Sequence, residues 1–142
     1  MQFSRIHTSQ RSRGILANLK IKTGLKPNIL SRFAICLSLK DPSIPNPDEF
    51  DELGTEFLPS TLFGEHEKLF LALMIDRLHR EGHDPEEVPN LNQKDNKEPK
   101  GEEKTLLNIM LRAHLNRGVY SLVSRIYSLS AINEMIKAEM KY

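Results

Sequence analysis

The sequence predicts an all-α protein, a compact bundle of about five helices joined by long polar connections. Apolar residues recur at helical spacing in several segments, and Gly or Pro residues stand where those segments begin or end. The one candidate strand, residues 3–8, alternates poorly between polar and apolar residues. The chain has 142 residues, 39% of them hydrophobic and 27% charged. These values are typical of one globular domain, so we predict a single domain over residues 1–142.

An N-terminal arm, residues 1–8, precedes the first predicted helix, which covers about residues 9–23. Ser9 is the predicted N-cap, and Gly24 is the predicted left-handed residue that ends the helix. Basic residues fall on both margins of the apolar face of this helix. That face contains Ile15, Leu16 and Leu19.

The second predicted helix covers about residues 27–39, with Pro27 at its first position, where the missing N–H has no cost. Apolar residues cover a wide arc of this helix. A helix that is apolar on most sides is buried in a core or against another subunit. We therefore predict that Cys36 is a core residue and that this helix supports self-association.

Prolines and acidic residues fill residues 41–59, which we call the acidic arm and predict to be an extended loop. A third helix over about residues 64–81 is the predicted main core helix. Residues 82–103 combine Gly, Pro and many charges and predict a mobile connection. The predicted core side chains of the third helix are Leu69, Phe70, Leu73, Met74 and Leu78.

The last third of the chain predicts a fourth helix over about residues 102–117, which Gly118 ends or bends. A fifth helix follows over residues 119–129, and then a tail helix. The apolar positions of the tail helix are Ile132, Met135, Ile136 and Met140.

Charge is strongly segregated, although the formal net charge is only +1. Residues 1–40 contain eight Lys or Arg and no Asp or Glu, whereas residues 41–67 contain eight Asp or Glu and no Lys or Arg. Such asymmetry indicates a surface for a polyanion or another charged partner. On charge alone two interpretations stay open: the acidic arm covers the basic segment, or the basic segment contacts phosphates.

Enzyme chemistry finds no support in the sequence. No Walker A loop, dinucleotide glycine fingerprint, nucleophile elbow or zinc-protease motif occurs. The single cysteine excludes an intrachain disulfide. The N-terminus lacks the apolar run of a signal peptide, and the longest apolar run has seven residues, far below the ~20 that span a bilayer. We predict a cytoplasmic, non-catalytic protein with no cofactor and no catalytic residues.

Histidines give one candidate metal site, His79 and His83. Gly82 and Pro85 end the helix between or just after the two imidazoles, so we predict a solvated helix end and no metal. His114 is flanked by apolar positions, which indicates a hydrogen-bonded packing residue.

Four motifs resemble the DndE family of DNA sulfur-modification proteins. They are TGLKPNILSRFAICLSL at 23–39, GTEF at 54–57, TLFGE at 61–65 and RAHLNRGV at 112–119. The first is also similar to the helix-turn-helix start of ribbon-helix-helix DNA binders, which is a looser pattern.

The resemblance implies a small helical accessory subunit of the bacterial DNA phosphorothioation machinery, working beside other sulfur-modification subunits. It also implies binding to duplex DNA, a preference for nicked duplex and a homo-oligomer, namely a tetramer. Two alternatives are a ribbon-helix-helix repressor and a protein–protein adaptor without DNA contact. The predicted phosphate contacts are Arg11, Arg13, Lys20, Lys22, Lys26 and Arg32, with Arg112, Arg117 and Arg125 as secondary candidates.

Overall fold

The computed structural model describes residues 1–89 and 105–139, and in these ranges it confirms the predicted all-α class. None of the described helices is long and apolar enough to cross a lipid bilayer. The α-helices are α1 (Gln10–Thr23), α2 (Pro27–Lys40), α3 (Pro59–Phe63), α4 (Glu67–Arg80) and α5 (Leu106–Glu139). Two short strands, β1 (Ile6–His7) and β2 (Glu56–Phe57), and two 3-10 turns, Pro47–Glu49 and Gly64–His66, complete the described chain.

Local sequence explains both ends of α1. The Ser9 hydroxyl accepts a hydrogen bond from the Ser12 backbone N–H at 3.0 Å, which satisfies one of the free donors of the first turn. Gly24 ends the helix in the left-handed conformation, with φ of 75°. Its N–H donates to the Lys20 carbonyl at 2.8 Å. Both predicted caps are confirmed.

The predicted break at Gly118 is wrong, because α5 runs through it without interruption. The predicted fourth, fifth and tail helices are therefore one helix as far as Glu139, while Met140 lies outside the described residues. Gly118 is the point where α5 meets α2. A Cβ at this position would overlap the Ala34 carbonyl and lie 2.9 Å from the Ala34 Cα. The glycine serves close helix packing.

Helices α2 and α4 each bury one face only, which corrects two core predictions. On α2, Leu30, Ala34 and Ile35 are buried, whereas Cys36 lies on the opposite side and is exposed. The apolar arc predicted burial but not which side of the helix is covered. On α4 the buried side chains are Phe70, Met74, Arg77 and Leu78, while Leu69 and Leu73 are exposed.

The acidic arm contains more regular structure than the predicted loop. It includes the Pro47–Glu49 turn and β2, and α3 begins at its last residue. Strand β2 pairs antiparallel with β1, so that Ile6 lies opposite Phe57. This pairing ties the arm to the N-terminus, with Thr8 N–H donating to the Thr55 carbonyl at 2.9 Å.

Part of the predicted mobile connection is fastened to α5. The Leu106 N–H donates to the Glu87 carbonyl at 2.7 Å, and the Leu107 N–H donates to the Pro85 carbonyl at 2.9 Å. These bonds satisfy backbone donors in the first turn of α5. Residues 90–103 lie outside the described residues.

Candidate nucleic-acid interface

Three arginines of α4 and α5 hold the acidic arm against the bundle. The first, Arg77, is buried on α4 and donates to the Leu39 and Asp41 carbonyls at 2.9 and 2.7 Å. It also donates to the Ser43 carbonyl at 3.0 Å and pairs with the Glu81 carboxylate at 2.7 Å. The sequence does not reveal this role of Arg77, because the main-chain carbonyls that it contacts are distant in sequence and leave no local pattern.

The second, Arg112, is buried on α5 beneath the middle of the arm. Its guanidinium donates to the Phe50 carbonyl at 3.1 Å and lies 3.4 Å from the Glu52 carboxylate. Phe50 is itself buried and packs edge-on against Tyr120, with ring centroids 5.4 Å apart. The predicted phosphate contact of Arg112 stays a prediction, but its guanidinium faces the protein's own arm.

The third, Arg117, holds the start of the arm. It donates to the Ser38 hydroxyl and carbonyl at 2.8 Å each and to the Ser43 carbonyl at 2.9 Å. The Asp41 carboxylate lies 3.8 Å away. Burial lowers the pKa of Arg117 from its ordinary value, while Asp41 opposes that shift. Arg117, like Arg112, thus contacts the protein's own acidic arm.

His114 completes this polar cluster and is confirmed as a packing residue. It is fully buried, and its Nδ1 shares a hydrogen bond of 2.8 Å with the Ser38 hydroxyl. Burial lowers the pKa of His114 to about 3, and the neighbouring Arg117 and Arg77 act in the same direction. The imidazole is therefore neutral at physiological pH.

A carboxylate of the arm occupies the N-terminus of α1. Asp51 accepts hydrogen bonds at 2.9 Å from the backbone N–H groups of Gln10 and Leu53. These two bonds, led by the one from Leu53, lower the pKa of Asp51. The positive end of the α1 dipole is thus satisfied within the chain. Nearby, Arg5 pairs with Glu56 at 3.2 Å.

Four cations along α1 are exposed. Arg13 and Lys20 are exposed on one margin of the helix, and Arg11 and Lys22 are exposed on the other. The Arg11 guanidinium lies 4.5 Å from the centre of the Tyr120 ring, a cation–π contact. Among the described residues, no carboxylate pairs with Arg13, Lys20 or Lys26.

The start of α2 extends this basic surface. Lys26 is the exposed N-cap residue, no side chain caps the helix, and no acidic residue lies in its first turn. Arg32 is half-buried and donates to the Leu62 carbonyl at 2.6 Å, so that it caps α3. Asn28 donates to the neighbouring Thr61 carbonyl at 3.0 Å. Arg125 is exposed on α5, distant in sequence from the start of α2.

The two histidines considered for a metal are both exposed. His79 is in the last turn of α4, and His83 follows the helix after Gly82. In residues 1–89 and 105–139, no group of three or more His, Cys, Asp or Glu side chains could hold a metal ion.

Comparisons with known proteins agree with the resemblance. The family model described as DNA sulphur modification protein DndE matches residues 5–94, more than half of the chain. The fold is similar to the crystal structure of DndE from Escherichia coli B7A, involved in DNA phosphorothioation modification. That match has 24% identity and a TM-score of 0.57, and it covers 86% of this chain and 99% of the other.

A second crystal structure, of a DndE G21/24K mutant involved in DNA phosphorothioation, matches with 22% identity, the same coverage and a TM-score of 0.57. Comparison with curated proteins gives no match. At these identities the structures show the shared fold, and the family model shows the membership. The chain belongs to the DndE family of DNA sulfur-modification proteins.

Proposed function

We propose that this protein is a non-catalytic, cytoplasmic DNA-binding subunit of the bacterial phosphorothioation machinery. The observation that carries the proposal is the set of exposed cations on α1 and at the start of α2. Arg13, Lys20 and Lys26 have no carboxylate partner in the described part of the chain. Family membership supplies the context, because relatives of this fold are involved in DNA phosphorothioation.

The binding mode follows from the side chains present. Lys and Arg neutralise backbone phosphates and release counterions, but phosphate contacts carry no sequence information. Trp is absent and aromatic residues make up 6% of the chain, which leaves little surface for base stacking. We therefore expect sequence-tolerant binding to duplex DNA. A preference for nicked duplex and a tetrameric assembly are further parts of this proposal, and they rest on the family resemblance.

A salt series tests the phosphate contacts. We would measure binding of a labelled duplex by fluorescence anisotropy for the wild type, K20E/K26E and a control, K68E/R80E. Lys68 and Arg80 are exposed on α4, so the control changes the net charge equally. If Lys20 and Lys26 each contact one phosphate, the slope of log affinity against log salt falls by about 1.8 in K20E/K26E.

The salt series can contradict the assigned interface, and a second experiment tests the nick preference. A slope that changes equally in both variants would mean that only net charge matters, and it would contradict the assigned interface. Comparing intact, nicked and single-stranded DNA at one fixed salt concentration then tests the nick preference. Equal affinity for nicked and intact duplex would refute that part of the proposal.

The ribbon-helix-helix alternative is poorly supported by the strand geometry. That class inserts strands from a β-ribbon into the major groove. Here β1 is two residues long and pairs with β2 of the same chain. Strong preference for one palindromic operator over random duplex would revive the alternative.

A further inference from the structure

Arg11 is held in a different way from the three arginines that hold the acidic arm. The guanidinium groups of those three donate to main-chain carbonyls of the chain itself. The guanidinium carbon of Arg11 instead lies 4.5 Å from the centre of the Tyr120 ring. Among the described residues, no oxygen accepts a hydrogen bond from this guanidinium and no carboxylate pairs with it. Contact with a ring face thus holds the Arg11 side chain and leaves its N–H donors unused.

The half-buried Tyr120 ring is itself held by two other elements of the fold. Its hydroxyl shares a hydrogen bond of 3.0 Å with the hydroxyl of Ser9, the N-cap residue of α1. Its ring meets Phe50 of the acidic arm edge-on, with centroids 5.4 Å apart. Phe50 is buried, and its carbonyl accepts a hydrogen bond from Arg112. The place of the Tyr120 ring is therefore set by the start of α1 and by the acidic arm together.

A guanidinium held in this way is suited to bind an anion. A freely moving arginine loses rotamer freedom when it binds, and a side chain already ordered by the fold avoids most of that cost. The planar guanidinium donates two parallel hydrogen bonds to a phosphate from its edge, which stays accessible when its face lies on a ring. Arg11 is exposed in the first turn of α1, at the opposite end of the helix from Lys20 and Lys22.

We propose that Tyr120 is a positioning residue of the DNA interface, whose ring holds the Arg11 guanidinium ready to donate to a backbone phosphate. This role rests on the DNA binding proposed above and extends the interface to the start of α1. Phe50 acts through the same ring, so the acidic arm supports DNA binding without touching DNA. The four exposed cations of α1 thus differ, because Arg11 alone among them is held by an aromatic ring in the described part of the chain.

A double-mutant cycle on the full-length protein tests this role by fluorescence anisotropy with a labelled duplex. R11Q removes the phosphate contact, and the slope of log affinity against log salt should fall by about 0.9. Y120L removes the ring, and we expect affinity to fall about two- to fivefold, which corresponds to an exposed cation–π contact. In the R11Q background, Y120L should have no further effect, because no guanidinium is left to position.

Arg13 and the conservative variant Y120F provide the matched controls. Arg13 is exposed on the same helix, and no aromatic ring in the described residues holds it. In the R13Q background, Y120L should therefore lower affinity by the same factor as in the wild type. Y120F keeps the ring and loses only the hydrogen bond to Ser9, so we expect DNA affinity near that of the wild type together with a lower Tm. Y120M, a second variant without a ring, is measured alongside, so that a folding defect of Y120L does not decide the result.

Several outcomes would overturn the proposal. An equal loss of affinity on adding Y120L to the wild type, R11Q and R13Q would show a merely structural role. If R11Q and Y120L bind DNA as the wild type does while K20E/K26E binds more weakly, DNA binding stands and the role of Tyr120 is refuted. A wild type that binds no duplex would refute the proposed function as well. Without DNA, the ring current should shift the NMR signals of the Arg11 side chain in the wild type and Y120F but not in Y120L, and absence of that shift in the wild type would contradict the contact.

Discussion

Replacing Gly118 by alanine tests how α2 and α5 are held together. Gly118 lies inside α5 and faces the backbone of Ala34 in α2. An added Cβ would overlap the Ala34 carbonyl oxygen and carbon. Because these are main-chain atoms, no side-chain rotation relieves the overlap, and the two helices must separate. Gly14 of α1 provides a matched control, since a Cβ there would meet nothing within 4 Å.

The expected change in the free energy of unfolding is the difference between two effects. Glycine to alanine within a helix gains about 1 kcal/mol from helix propensity. Overpacking in a core costs about 1–3 kcal/mol, and more where the backbone has to move. For Gly118→Ala the cost exceeds the gain, and we expect a net loss of roughly 2 kcal/mol. For Gly14→Ala only the gain applies, so we expect stabilisation of about 0.5–1 kcal/mol.

Urea unfolding followed by far-UV circular dichroism measures the change in the free energy of unfolding for each variant, and thermal melts measure the change in Tm. For a chain of this size a loss of 2 kcal/mol lowers Tm by roughly 5–8 °C. The reasoning fails if Gly118→Ala is as stable as Gly14→Ala, or more stable than the wild type. Either result would mean that the approach of α5 to Ala34 is looser than the structure shows.

Three further predictions concern the polar cluster beneath the acidic arm. Ser38→Ala removes the hydroxyl shared by His114 and Arg117 and should lower the free energy of unfolding by about 1–3 kcal/mol in thermal melts. The pKa of His114 is lowered to about 3, so protons bind to the unfolded chain below its ordinary value of 6.5 but not to the folded one. The contribution of the neutral His114 imidazole to stability is therefore complete above about pH 6.5, and it decreases by ~1.4 kcal/mol per pH unit as the pH falls below that value. Urea titrations at pH 6.5 and 5 should show this loss, and His114→Gln should reduce the difference. Arg77→Met leaves the Glu81 carboxylate, which is 11% exposed, without its partner. The change should cost about 3–5 kcal/mol and make the acidic arm sensitive to limited proteolysis.

The sequence could predict the features that local chemistry controls. Ser9 and Gly24 define the ends of α1 through bonds to residues at most four positions away, and both were predicted correctly. Gly118, in contrast, has a role that local chemistry does not control. Its role depends on Ala34, which is distant in sequence, and a glycine inside an apolar segment carries no sign of that neighbour. Cys36 shows the same limit, because a wide apolar arc does not reveal which side of a helix is covered.

The candidate interface was predictable only in part, because the sequence shows where charges lie along the chain but not which residues they contact. Segregated charge identified the basic segment, and the exposed positions of Arg13, Lys20 and Lys26 agree with a surface role. The pattern could not separate cations that hold the protein's own chain from those left for a partner. Arg112 lies in a segment without acidic residues, yet its guanidinium faces main-chain carbonyls of the acidic arm.

The way in which the arm is held decides how the charge pattern should be interpreted. Arg77, Arg112 and Arg117 each lie beside a carboxylate, but each also donates to at least one main-chain carbonyl. Main-chain acceptors persist whatever side chain the arm carries. The arm is bound to the bundle largely through its backbone, and among the described residues no Lys, Arg or His pairs with its side chains Asp48 and Glu49.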